Sequence, residues 1–406
     1  MLDRLVAAAF VLLPLATLAA AQEESAEPAL PVEPAPEEPL PKRKEWLTAH
    51  QSSDGGWSGN GFQSRCEGGR CDGTGTWESE TGTTGLALLA FVGYGETHRT
   101  PRYGDVVRRA AARLMEIQDP DGCFGIRYPE RFVADHAMAA LAMAELAGLT
   151  RNEEFLASAG RAASFLLTQR GADGGWRAGD RFFESDAVTT CWSLSALLSA
   201  RNAGTELDEE ILRGAVAFID GLTDPETGRV LLHRFEPEPS DRATAAGVLT
   251  RLLCGADPAT DIAVARGAEV LLRGRPTPDA TVDPEYRYLG TRACFCTGGD
   301  TWKKWNESMK KAIIDSQVLD RESCRWGSWD PVPGPSAEMG RVATTALGVL
   351  CLEVYYRYAR VFGSKEPGST RKVSPPRSKR APALRQANRS AALDLDFPEP
   401  RTGFLR

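Results

Sequence analysis

Between residues 46 and 362 two kinds of apolar pattern take turns along the chain. One is amphipathic. Val107, Ala110, Leu114 and Ile117 fall on one side of the segment 103–118, with Arg108, Arg109 and Arg113 on the other. Trp302, Trp305, Met309 and Ile313 do the same in 301–317, against Lys303, Lys304, Lys310 and Lys311. Such spacing predicts helices with one solvated side. The other kind is apolar or small nearly all round, as from Asp186 through Leu194 or from Arg341 to Leu347. Helices of that composition must be covered on most sides.

A short turn phrase separates the two kinds. It reads Gln51-Ser52-Ser53-Asp54-Gly55-Gly56-Trp57, then Gln118-Asp119-Pro120-Asp121-Gly122-Cys123-Phe124, then Gln169 to Trp176 with one extra residue. A degenerate copy runs from Thr223 to Gly228, and Gln317 to Trp329 carries an insertion. Asp-Gly and Gly-Gly supply the positive φ of tight turns. The half-solvated helices are expected at about 43–51, 103–118, 152–169, 208–222, 260–274 and 301–317. The covered ones are expected at about 80–94, 135–148, 186–202, 241–255, 286–297 and 340–361. Two concentric layers follow, an all-α, α/α toroid of about six helical hairpins, with ring closure removing the ends an open solenoid must cap. The fifth pair is the least regular, its turn being rich in proline (Pro276, Pro278, Pro284).

Composition adds the flanks. With 406 residues and 42% apolar content, the chain has material for a large core. Residues 1–21 read as a signal peptide, with Arg4, an apolar run from Leu5 to Leu18, and Ala19-Ala20-Ala21 as the cleavage region. An export signal implies a periplasmic, cell-envelope or secreted location, and an uncleaved signal would leave a membrane association. Residues 22–45 are an acidic, Pro- and Glu-rich linker expected to stay extended, and 363–406 a basic tail expected to be disordered. The basic tail is read as solvating or tethering, so no nucleic-acid partner is expected. Among nine cysteines, Cys66, Cys71, Cys123 and Cys324 sit in loop-like sequence and are the ones placed for pairing. Cys191, Cys254 and Cys351 lie in apolar helical runs, and no CxxC zinc pattern occurs.

The turn phrase resembles the QW repeat of squalene–hopene and oxidosqualene cyclases, and the alternation resembles the wider prenyltransferase and squalene-oxidase repeat. The likeness spans residues 46–362 with three good copies. It implies the toroid fold of the terpenoid-cyclase and protein-prenyltransferase superfamily, in which the phrase is structural. The family's DxDD acid motif is missing, and no two aspartates are adjacent anywhere in the chain. The thioester sequence of complement-type toroids is also absent.

Aligning the covered helices places Glu80, Asp135, Asp186 and Asp241 at equivalent starts, with Arg341 in the sixth. Helix capping accounts for acids there. Converging on one rim, the same four acids are the catalytic candidates. Trp192, His136, Tyr286, Tyr288 and Arg341 are expected to line the cavity, with Asp135–His136 near Cys191 or Cys296 as the only hint of a metal site. No metal site and no cofactor are assigned.

Three functions remain open on this reading. The first is a squalene/terpenoid-cyclase-like protein holding an isoprenoid or other apolar small molecule; as an enzyme it would be an intramolecular transferase. The second is a non-catalytic envelope scaffold or binding module. The third is a carbohydrate-active enzyme using two of the rim carboxylates, with Trp57, Trp77, Trp192 and Tyr128 as sugar platforms.

Overall fold

A computed structural model describes residues 41–354 except 67–70, 78–79, 128–129, 180–183, 278–281 and 334. The signal segment, most of the acidic linker, the basic tail, Tyr128, Tyr355 and Tyr356 lie outside the described residues.

Twelve α-helices alternate between two layers among the described residues. The outer helices are α1 (Pro41–Ala49), α3 (Gly104–Glu116), α5 (Glu153–Thr168), α7 (Glu209–Leu222), α9 (Ile262–Arg273) and α11 (Gly299–Asp315). The inner ones are α2 (Glu80–Val92), α4 (Phe132–Thr150), α6 (Ala187–Ala203), α8 (Asp241–Leu253), α10 (Pro284–Thr297) and α12 (Gly340–Leu352). The fifth hairpin, α9–α10, forms like the rest. The first outer helix starts at Pro41, inside the segment read as linker.

The burial pattern follows the sequence pattern. Every residue from Thr81 to Val92 of α2 and from Phe132 to Ala147 of α4 is buried, whereas α3 buries only the side carrying Val106, Val107, Ala110, Ala111 and Leu114. Each large aliphatic or aromatic side chain so removed from water contributes roughly 1.5–3 kcal/mol. Helix α4 is long and apolar enough to cross a membrane, yet it is buried inside the ring along most of its length. Six helix starts carry a side-chain cap: Asn152, Asp186, Asp208, Ser240, Asp261 and Asp283 each accept a backbone N–H from the first turn.

The turn phrase joins the layers through one recurring set of bonds. Trp57, Trp176 and Trp329 donate their indole N–H to Leu47, Leu166 and Ile313 on the preceding outer helix. Their backbone N–H groups are accepted by Thr84, Thr190 and Thr345 on the following inner helix, and Thr244 does the same for Val230. In the second repeat His136 takes the threonine's place, accepting from Phe124 N at 2.9 Å. Gln51 and Gln118 each donate both to their own phrase and to the next outer helix, at Val106 and Ser158. At Gly55 (φ 94°) a Cβ would lie 2.4 Å from Arg109 O, so glycine there sets how closely neighbouring hairpins approach.

The inner helices pack in sequence, α2 on α4, α4 on α6, α6 on α8, α8 on α10 and α10 on α12, and α12 returns to α2. The ring is therefore closed. At this seam Lys44 of α1 pairs with Glu353 at 3.0 Å, both buried. Arg341, almost wholly buried, is gripped by Asp72 and Asp330 and donates to Ser328 at 2.9 Å.

Candidate functional site

The threonine ladder fixes the true register of the inner helices. Counting four residues back from Thr84, His136, Thr190, Thr244 and Thr345 gives Glu80, Phe132, Asp186, Ser240 and Arg341. The expected equivalence of four acids is thus corrected: Asp135 and Asp241 stand three and one positions too far along. Asp186 caps its helix, its Oδ1 accepting Thr189 N at 2.7 Å. Asp241 opens α8 beside Arg229 at 3.2 Å. Asp135 is buried and accepts the Trp77 indole N–H at 2.9 Å, with Arg131 at 3.8 Å. Glu80 opens α2 and has no part in the cavity described next.

An open cavity of about 610 Å³ lies at the amino-terminal ends of the inner helices. Trp77 reaches it ahead of α2, Arg131 from the start of α4, and Glu184 and Asp186 ahead of α6. Trp192 of α6, Arg242 of α8 and Glu285 of α10 form deeper wall, and His233 and Phe235 come from the turn between α7 and α8. Helix amino termini carry partial positive charge, which suits a site rich in carboxylates.

Glu184, Ser185 and Asp186 alternate. Ser185 turns away to donate to Asp173 at 2.8 Å, while the acids on either side of it both face the cavity. Glu184 Oε2 is buried with no hydrogen-bond partner among the described residues. Glu285 is held by Trp192 Nε1 at 2.9 Å and Arg242 at 2.7 Å.

The electrostatics split these acids. Burial pushes the Asp186 carboxyl above its ordinary range; the bonds from Thr189 and the Arg242 charge oppose this, and the Glu285 charge adds to it. Burial also works on Glu285, but the charges of Arg242 and Arg131 with the bonds from Trp192 and Arg242 overcome it and hold that carboxyl below its ordinary range. One acid keeps its proton more readily and another stays ionised.

The aromatic expectations fare unevenly. Trp77 is half-buried at the cavity wall with the Arg131 guanidinium 5.3 Å over its ring, and Trp192 is fully buried, stacked on Tyr288 at 5.5 Å. Tyr286 lies outside the cavity, bonded to Gly274 O and set edge-on to Trp305. Trp57 is core. His136 is no cavity residue: it is fully enclosed, and with Nδ1 accepting from Phe124, its Nε2 donates to Ala162 O at 3.1 Å. Burial drops its pKa to about 4, which keeps it neutral. Arg341 belongs to the seam. Phe235 and Glu184, which sequence reasoning passed over, sit on turns without periodicity; Phe235 is 76% exposed, unusual for so large an apolar side chain.

No family model matches the sequence, and no curated protein matches it. Solved structures do resemble it in shape. The GH76A α-1,6-mannanase of Salegentibacter sp. HEL1_6 has a TM-score of 0.54 at 14% identity, covering 78% of this chain and 97% of that one. The cellobiose 2-epimerase of Bacillus thermoamylovorans B4167 scores 0.55 at 14% identity, covering 78% and 98%. A type II terpene cyclase from Scytonema scores 0.51 at 12% identity, covering 79% and 96%. The chain has the α/α-toroid fold these proteins share. The narrower terpenoid-cyclase reading and its apolar isoprenoid ligand are corrected. Mannanases and an epimerase stand among the similar structures, the mannanase also in complex with α-1,6-mannotriose. The cavity wall mixes apolar side chains such as Trp77, Val188, Leu232 and Phe235 with the charged groups Arg131, Glu184, Asp186, Arg242 and Glu285.

Proposed function

We propose that this protein is a carbohydrate-active enzyme that cleaves a glycosidic bond in the cavity at the inner-helix rim. The observation carrying the reading is the pair Glu184 and Asp186, both facing the cavity from one segment, with Asp186 held toward its protonated form. Asp186 gives its proton to the departing glycosidic oxygen. Glu184 takes a proton from the attacking water or stabilises the positive charge developing on the sugar ring. Two carboxyl groups about 5–10 Å apart can divide the work in this way. Trp77 and Phe235 offer flat apolar surface to sugar rings. Glu285 is a positioning residue, acting through Trp192 and Arg242. This reading takes residues 1–21 as a signal peptide and the activity as one carried out outside the cytoplasm.

The mannanase inactivated by two adjacent Asp-to-Asn changes has no counterpart of that pair here, since no aspartates are adjacent. The acids doing the chemistry therefore differ, and the substrate is a glycan chosen by this cavity. Incubation with α-1,6-mannotriose and a panel of α- and β-linked oligosaccharides, followed by reducing-end release and calorimetric binding, tests the reading. Release that disappears in Asp186→Asn is expected. Binding without release would leave a sugar-binding module, and neither binding nor release across the panel would sink the carbohydrate reading.

A further inference from the structure

Away from the cavity, at the seam of the ring, four side chains converge that no periodic pattern links. His50 follows the end of α1, Cys66 and Cys71 flank the next loop, and Cys324 lies in the last turn phrase. Their ligating atoms all lie within 4.8 Å of one another. His50 Nε2 stands 3.5 Å from Cys66 Sγ, 3.6 Å from Cys71 Sγ and 3.5 Å from Cys324 Sγ.

We propose that these residues form a structural Cys3His zinc site that clasps the first hairpin to the last. Zn–N near 2.0–2.1 Å and Zn–S near 2.3 Å at tetrahedral angles put N and S about 3.5–3.6 Å apart. The three distances from His50 meet that requirement together. Disulfide pairing, the expectation for Cys66, Cys71 and Cys324, suits the cluster less well. Three thiols cannot all be satisfied by one disulfide, and pairing two of them gives His50 no reason to stand equally far from each. Cys123 lies elsewhere, buried in the second turn phrase against Phe124 O.

The surroundings favour a metal in the same way. His50 Nδ1 lies 2.8 Å from Trp46 O, and a carbonyl only accepts, so Nδ1 carries the proton and Nε2 offers its lone pair. The Trp46 ring stacks on His50 at 4.1 Å with Phe62 edge-on to both, shielding the cluster with apolar surface. Cys71 N–H points at Cys66 Sγ at 3.4 Å, a bond that suits a thiolate. Trp46 Nε1 donates to Cys324 O at 3.0 Å, so the strand of bonds crosses the seam beside the metal. Loading Zn2+ expels three thiol protons to solvent and changes no oxidation state, leaving a net charge of −1.

The test uses the full chain, reduced, titrated anaerobically with Co2+ alone. One equivalent should bind and produce a thiolate-to-cobalt charge-transfer band with the intense visible bands of a tetrahedral site, and Zn2+ should displace it. The band should vanish in Cys324→Ser and persist in Cys254→Ser. Should Cys324→Ser fail to fold, alkylation of the wild-type chain decides: Zn2+ should protect Cys66, Cys71 and Cys324 together. No charge-transfer band from the reduced protein, a band unchanged in a folded Cys324→Ser variant, or alkylation of those three cysteines indifferent to Zn2+ would overturn the proposal.

Discussion

Trp192 of α6 donates its indole N–H to Glu285 of α10 at 2.9 Å, while Arg242 of α8 holds the other carboxylate oxygen at 2.7 Å. One acid thus fixes side chains from two other inner helices at the wall of the cavity.

Replacing Glu285 by Gln leaves Arg242 without its ion-pair partner, and removing one member of a buried pair costs about 3–5 kcal/mol. The sign with pH follows from the direction of the shift. Glu285 has a folded-state pKa below its ordinary 4.5, so its contribution is complete above that value and is lost as pH falls through the folded value. Thermal melts across acid pH should show a steeper decline for the wild type than for Glu285→Gln. Parallel curves would rule out this role.

Asp186→Asn keeps a capping side chain, because Asn serves that position about as well as Asp. Turnover should drop about 10²–10⁴-fold with the melting temperature nearly unchanged. In the wild type, activity should decline as pH rises through the elevated pKa of Asp186, on the alkaline side of the ordinary carboxylate range. An equal loss of stability and turnover would make Asp186 a cap and nothing more.

Phe235 is 76% exposed at the cavity mouth and packs into no core. Phe235→Ala should weaken oligosaccharide binding by about 0.5–1.5 kcal/mol, the usual worth of an aromatic stacking surface. Its melting temperature should stay at the wild-type value. Calorimetric titration showing unchanged affinity would remove Phe235 from the site.

Lys44 and Glu353 form the buried pair at the seam, 3.0 Å apart. Lys44→Met alone should cost about 3–5 kcal/mol, whereas Lys44→Met combined with Glu353→Leu should recover most of it, as apolar replacements of buried ion pairs do. Urea unfolding of the three proteins reads both changes. A double variant as weak as the single one would point to another partner for Lys44.

The ring was legible because it repeats. The phrase and the two hydropathy patterns recur often enough that helix limits read from residues alone fall within a few positions of those observed, as at α5 and α7. The acids were less legible. His136 stands where Thr84 and Thr190 stand in their repeats, so no Thr marks the register there and Asp135 was aligned three positions out. Ser240, not Asp241, caps α8. The cavity draws Glu184 and Phe235 from turns, where spacing carries no signal. His50 and Cys324 are separated by 274 residues, so only ring closure reveals them as neighbours.

Because α1 and α12 meet, the order in which the hairpins are threaded is not what holds them together. A circularly permuted chain, cut at the turn between Gly204 and Asp208 and rejoined by a flexible linker across the seam, would retain every packed pair of helices.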